Sequence, residues 1–84
     1  MDVQLEVLRV LDEVLSLGGR GLRFRLDTPL LGALPDLDSM AVVSVVTGLQ
    51  DRLGIVFHDD DFDGEIFHTV GALVRLVNER MAHP

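Results

Sequence analysis

Residues 37–54, with the sequence LDSMAVVSVVTGLQDRLG, decide the fold. Apolar side chains recur here three and four residues apart, as on the buried face of a helix. They are Val42, Val45, Val46, Leu49 and Leu53. Ser39, preceded by Asp38, is the predicted N-cap, and Gly54 ends the segment. The stretch therefore predicts a helix over 39–53. The competing strand over 41–46 lacks strict alternation of apolar and polar residues.

The segment before this helix predicts another helix and a long connection. Over 3–17, Leu8, Leu11 and Leu15 recur at helical spacing, and glycines follow at 18 and 19. Residues 18–38 then form an unusually long loop for so small a chain. We expect three leucines to pin this loop to the core, and a short strand around 24–26 is an open alternative. The three are Leu30, Leu31 and Leu34.

The segment after Gly54 predicts a short helix and a last long one. Residues 59–67 begin with acids, which the positive end of a helix dipole favours. Thr69 is the predicted cap of a final helix of about three turns. Its inward side chains are Val70, Leu73, Val74 and Val77. The sequence thus predicts an all-α bundle of three main helices plus one short helix, in a single domain over 1–84.

Composition narrows the classes of function. The 84 residues include no cysteine, which excludes disulfides and thiolate metal sites and favours a reducing cytoplasm. The chain begins without a basic signal segment, and its apolar stretches are too short to span a bilayer. We therefore expect a cytoplasmic protein without a membrane span.

The charge of the chain is uneven. The net charge is −7, and residues 26–65 hold nine acids and one base, whereas Arg20, Arg23 and Arg25 lie together just before them. An acidic surface argues against nucleic acid as a partner and favours basic proteins, although negative charge also serves solubility alone.

Ser39 is the candidate functional residue. A helix N-terminus offers unpaired N–H groups and a positive dipole end, which suit a phosphate esterified to a serine placed there. Asp38 adds a negative group for a basic partner. Taken alone, a serine at this position is more often an ordinary cap.

The order of segments around Asp38-Ser39-Met40 resembles the acyl carrier protein family over nearly the whole chain. The motif of that family is Asp-Ser-Leu, with 4′-phosphopantetheine on the serine. The resemblance implies that Ser39 carries this arm and that Asp38 is recognised by the phosphopantetheinyl transferase. The spacing over 28–37 is similar to a bacterial subgroup associated with exopolysaccharide and exosortase gene clusters.

The resemblance also implies further sites and partners. The arm would carry acyl groups as thioesters in lipid or fatty acid biosynthesis, and the protein would be a monomer and not an enzyme. Partners would be the transferase, an acyl ligase or acyltransferase and other acyl-processing enzymes, which would dock on the second helix and the nearby loop. The implied recognition residues are Asp38, Met40, Val43 and Thr47. The implied acyl-chain pocket is Val43, Val46, Leu49, Phe67 and Leu73.

The second helix departs from the family pattern, which has several acids on the exposed face. Here that face reads Ala41, Ser44, Thr47 and Gln50, and Asp51 is the only acid after the cap. We therefore expect a dedicated ligase or transferase, and poor binding by partners from general fatty acid synthesis.

Four alternatives remain at this point. Asp59, Asp61, Asp63 and Gly64 fit the start of an EF-hand loop, but Val70 stands where the bidentate glutamate belongs, so only weak calcium binding is expected.

A peptidyl or aminoacyl carrier shares the fold and the serine, but usually has Gly-Gly close before the serine. A helical adaptor would leave Ser39 unmodified. An enzyme fits poorly, because no acid or nucleophile is paired at a recognisable spacing with the scattered histidines His58, His68 and His83.

Overall fold

The computed structural model describes residues 2–35, 37–62 and 65–82, and within them it contains three α-helices and two short 3-10 turns. The helices are α1 (Val3–Val14), α2 (Ser39–Leu53) and α3 (Val70–Ala82). The first helix packs against both others and against the first 3-10 turn. The predicted all-α bundle is confirmed. None of the described helices is long and apolar enough to cross a membrane.

Helix α1 is shorter than the sequence predicted. Asp2 caps it, accepting a hydrogen bond from the Leu5 N–H at 3.1 Å, but the helix ends at Val14 and not at residue 17. Leu15 and Leu17 are both buried. The helical hydrogen-bond pattern stops here: Ser16 has a positive φ of 54°, and the Leu17 N–H donates to the Asp12 carbonyl, five residues back, at 3.0 Å.

The long loop contains a 3-10 turn over Arg20–Arg23 that the sequence pattern did not predict. The open alternative of a strand at 24–26 is wrong, because the described residues there form none. An isolated antiparallel bridge pairs Pro29 with Thr69 instead. Leu30 is fully buried and Leu34 partly so, as expected, whereas Leu31 is 47% exposed and does not pin the loop.

Helix α2 has the predicted bounds. Gly54 ends it in the left-handed conformation (φ 67°), and its N–H donates to the Gln50 carbonyl. Val45 and Leu49 are fully buried. A close approach of α1 is possible because Gly48 has no side chain: a Cβ there would lie 3.0 Å from a methyl group of Val10. The competing strand over 41–46 is wrong.

The predicted short helix over 59–67 is reduced to a 3-10 turn over Asp59–Asp61. Beyond it, the carbonyls of Phe67 and His68 accept from the N–H groups of Leu31 and Leu30 at 2.8 and 3.0 Å, which joins the end of this segment to the long loop. Helix α3 then begins as predicted, with the Thr69 hydroxyl accepting from the Ala72 N–H at 3.1 Å. Its buried residues are Val70, Leu73, Val74, Leu76 and Val77.

Candidate functional site

The sequence analysis named Ser39 as the N-cap of α2, but in the structure Ser39 is the first residue of the helix. The cap is Asp38, whose extended backbone leads into the helix and whose Oδ1 accepts from the Ala41 N–H at 2.8 Å. Leu37, one residue earlier, is 4% exposed and anchors this end of the helix in the core. The Asp38 carboxylate therefore caps the helix, and the Ser39 hydroxyl takes no part in the cap.

The loop that leads to Ser39 is fixed to the segment before α3. Beyond the bridge between Pro29 and Thr69, the Val70 N–H donates to the Thr28 carbonyl at 3.0 Å. The Leu37 N–H donates to the Leu34 carbonyl at 3.1 Å, in a turn that leads the chain into α2. The start of α2 is therefore held by long-range contacts as well as by its own cap.

The start of α2 is suited to an anionic group on Ser39. Among the described residues, none is hydrogen-bonded to Ser39 Oγ, and the side chain is exposed. With the Ala41 N–H taken by Asp38, the N–H groups of Ser39 and Met40 remain at the positive end of the helix dipole. A phosphate esterified to Ser39 Oγ would meet these groups without displacing any contact of the fold.

The outward side of α2 beside Ser39 carries no charge for three turns. We call Met40, Val43, Ser44 and Thr47, all exposed, the outer face of α2. Met40 and Val43 are 76% and 61% exposed, unusually high for apolar side chains. The first acid beyond the cap is Asp51, as the sequence indicated. The predicted recognition residues Asp38, Met40, Val43 and Thr47 thus all lie on the surface.

The predicted acyl-chain pocket is brought together only in part. Leu49, Phe67 and Leu73 are at most 4% exposed and belong to one core cluster, against which the partly buried Val46 packs. Val43 is not among them. Its position on the outer face of α2 corrects its assignment to the pocket, because a side chain 61% exposed does not line the interior.

The acidic segment is used for internal contacts. Asp61 Oδ2 accepts from the His58 N–H at 2.8 Å and lies 3.7 Å from the Arg80 Nε, which ties the second 3-10 turn to α3. Asp63 and Gly64 of the EF-hand alternative, and His83, lie outside the described residues. Within the described ranges, no three acids or histidines are grouped so that they could hold a metal ion. His58 and His68 are exposed.

Sequence reasoning missed two surface features. Val56 is 66% exposed between the buried Ile55 and Phe57. Phe62 is 47% exposed and meets Phe57 edge to face, with ring centroids 6.2 Å apart. The extended run 55–57 could have indicated the first, since neighbouring side chains of an extended chain point to opposite sides.

Comparison with solved structures decides the family. The chain matches the solution structure of the holo acyl carrier protein of Nitrosomonas europaea with a TM-score of 0.91 and 36% sequence identity. The match covers 99% of this chain and 100% of that protein. The chain belongs to the acyl carrier protein family. No family model and no curated protein matches the chain.

Members of this family are carriers and not enzymes. The resemblance seen in the sequence is thereby confirmed, together with the fold it implied.

Proposed function

We propose that Ser39 is the attachment site of 4′-phosphopantetheine in this acyl carrier protein. The observation that carries the proposal is the division of roles at the start of α2. Asp38 caps the helix, and the exposed hydroxyl of Ser39 stays free for an esterifying enzyme. The matched protein from Nitrosomonas europaea is a holo form, which supports the same modification here.

The residues around Ser39 fit this arm. The helix N-terminus stabilises the phosphate, and the exposed position leaves room for a transferase to approach Oγ. Once attached, the arm supplies a thiol that holds an acyl group as a thioester. The chain itself supplies a fixed position for the arm and a surface on which acyl-processing enzymes dock. It needs no catalytic group of its own, in keeping with a carrier over 1–84.

The test is a loading reaction with matched serine variants. The protein is incubated with coenzyme A, magnesium and a broad-specificity phosphopantetheinyl transferase, and its intact mass is measured. The unaltered chain and Ser44→Ala, which lies on the same helix, are expected to gain one phosphopantetheine group. Ser39→Ala is expected to gain none. A folded wild-type chain that gains no mass would favour an unmodified adaptor.

The outer face of α2 supports a proposal about partners. An enzyme that reaches Ser39 covers Met40, Val43 and Thr47 on the same side of the helix. Their uncharged side chains suit an apolar partner surface, with Asp38 as the nearest anion for a basic group of the transferase. We expect a dedicated acyl ligase or acyltransferase in the cytoplasm and a monomeric carrier.

A competition between carriers tests this specificity. A ketosynthase of general fatty acid synthesis is given equal amounts of its own acyl carrier and of this one, each loaded with the same acyl group. We expect it to use its own carrier far better, because steering to an acidic helix is missing here. Equal use of both carriers would contradict the dedicated-partner proposal.

The buried group formed by Val46, Leu49, Phe67 and Leu73 is the proposed site for the acyl chain. These residues lie in one core cluster or pack against it, so an entering chain would contact several of them at once. The melting temperature of the loaded protein is expected to rise with the length of the attached acyl chain. The dependence on chain length is expected to differ in Leu49→Ala. An acyl-loaded protein as stable as the unloaded one would contradict the proposal.

A further inference from the structure

The arginine residues of the chain divide into paired and unpaired sets. Arg9, Arg52 and Arg80 each lie within 3.7 Å of a carboxylate oxygen. Within the described residues, Arg20 and Arg23 in the first 3-10 turn, Arg25 just after it and Arg75 in α3 make no such ion pair and are exposed; the first three lie together in the chain. The chain has 14 acids, so a shortage of carboxylates does not explain this.

The three arginines lie beside two exposed apolar side chains. Leu22 is 46% and Leu26 50% exposed. We call Arg20, Leu22, Arg23, Arg25 and Leu26 the arginine surface. In a 3-10 helix, side chains three residues apart lie above one another, so Arg20 and Arg23 project on the same side. This places two positive charges close together on one exposed side of the turn.

The backbone of the arginine surface is fixed on one side by α1. The Asp12 carboxylate accepts from the Gly19 and Gly21 N–H groups at 2.9 and 3.0 Å. A Cβ at Gly21 would lie only 3.0 Å from the Asp12 Cβ, so a larger residue here would push Asp12 away. The Arg20 Nε also donates to the Leu17 carbonyl at 3.0 Å.

The other side of the arginine surface is fixed by the start of α3. The Leu26 carbonyl accepts from the Gly71 N–H at 2.7 Å, and the Arg25 N–H donates to the Thr28 hydroxyl at 2.7 Å. The side chains are thus presented on an ordered backbone. A preordered surface binds with a smaller loss of conformational entropy than a flexible one.

We propose that the arginine surface binds a partner protein whose surface combines acidic side chains with apolar ones. Guanidinium groups pair with carboxylates in a bidentate geometry, and Leu22 and Leu26 supply apolar contact next to them. The site is separate from Ser39 in sequence and chemistry, so a partner held here could differ from an enzyme that acts on the arm.

Charge distribution favours a protein over a nucleic acid or an anionic membrane. Without these three positive charges, the net charge of −7 would be −10. Phosphates spread over a whole nucleic acid or bilayer would meet this negative surface beyond the arginines. A protein can place carboxylates opposite the arginines and other groups elsewhere, and the local charge dominates within about 8 Å at physiological salt.

The test is an NMR titration of the ¹⁵N-labelled protein with a defined probe. The probe is a capped peptide, Glu-Leu-Glu-Glu-Leu-Glu, and its control has Gln in place of every Glu. We expect the acidic peptide to shift the amide signals of residues 20–26, and the control peptide to shift them far less. Binding is expected to weaken about fivefold to tenfold in Arg23→Gln/Arg25→Gln, which keeps the Arg20 contact to Leu17.

The matched control is Arg9→Gln, which removes an arginine of α1 that lies 3.7 Å from a Glu6 carboxylate oxygen and should leave peptide binding unchanged. Peptide shifts confined to other residues would overturn the proposal, as would equal binding by the Gln peptide. Tighter binding of an oligothymidylate or of phosphatidylglycerol vesicles at residues 20–26 would overturn it too, and would make the surface a general polyanion site. Peptide binding does not depend on Ser39, so this result is independent of phosphopantetheine loading.

Discussion

The outer face of α2 and the arginine surface are both exposed, but they are built in different ways. The outer face is uncharged and follows from helical periodicity within one segment. The arginine surface is positively charged and depends on contacts from Asp12 in α1 and Gly71 in α3. The difference separates a surface determined locally from one determined by the tertiary structure. Variants that disturb one and spare the other test this distinction.

The largest expected effect is on the packing that supports α2. Leu49→Ala is expected to lower the free energy of unfolding by about 2–5 kcal/mol, because it leaves a cavity at a fully buried position. Val43→Ala, on the outer face of the same helix, should change it by no more than about 0.5 kcal/mol. Urea unfolding followed by circular dichroism measures both. Similar losses in the two variants would mean that Val43 is a core residue.

The next effect concerns the anchor of the arginine surface. Asp12→Ala is expected to cost about 1–3 kcal/mol, since the amides of Gly19 and Gly21 lose their acceptor. It should also speed amide hydrogen exchange at residues 19–23 while leaving α2 protected. Glu13→Ala is the matched control: its side chain is 68% exposed and its ion pair contributes less than about 1 kcal/mol. Unchanged exchange at 19–23 would contradict the role of Asp12.

A smaller effect distinguishes the two residues at the start of α2. Asp38→Ala should cost about 1 kcal/mol through loss of the N-cap, whereas Ser39→Ala should change stability by less than about 0.5 kcal/mol. Thermal unfolding of the two variants side by side gives the answer. A larger loss of stability in Ser39→Ala than in Asp38→Ala would mean that Ser39 caps the helix and that its hydroxyl is not free.

The sequence was sufficient where structure depends on local pattern. The bounds of α2, the Thr69 cap and the inward residues of α3 follow from helical spacing and capping preferences, and the structure confirms them. The assignment of the cap to Ser39 was wrong, because serine and aspartate cap helices about equally well and the sequence pattern does not discriminate between Ser39 and Asp38. Only the hydrogen bond from Ala41 decides it.

The sequence was insufficient where distant residues determine the backbone. At the end of α1, Ser16 adopts a positive φ and the Leu17 N–H donates to the Asp12 carbonyl, and the 3-10 turn that follows depends on the Asp12 carboxylate. The short helix over 59–67 was overpredicted: a 3-10 turn covers only Asp59–Asp61, and Phe67 is bonded to Leu31 of the long loop, which the local pattern does not reveal. Val43 was assigned to the acyl pocket although its side chain faces outward.

The measurement that tests the central claim most directly is the position of the phosphopantetheine group. After loading by the transferase, the protein is digested, and fragment-ion masses locate the modification among Ser16, Ser39 and Ser44. The account predicts that the whole added mass lies on Ser39. Modification of Ser16 or Ser44, or loading that persists in Ser39→Ala, would contradict it.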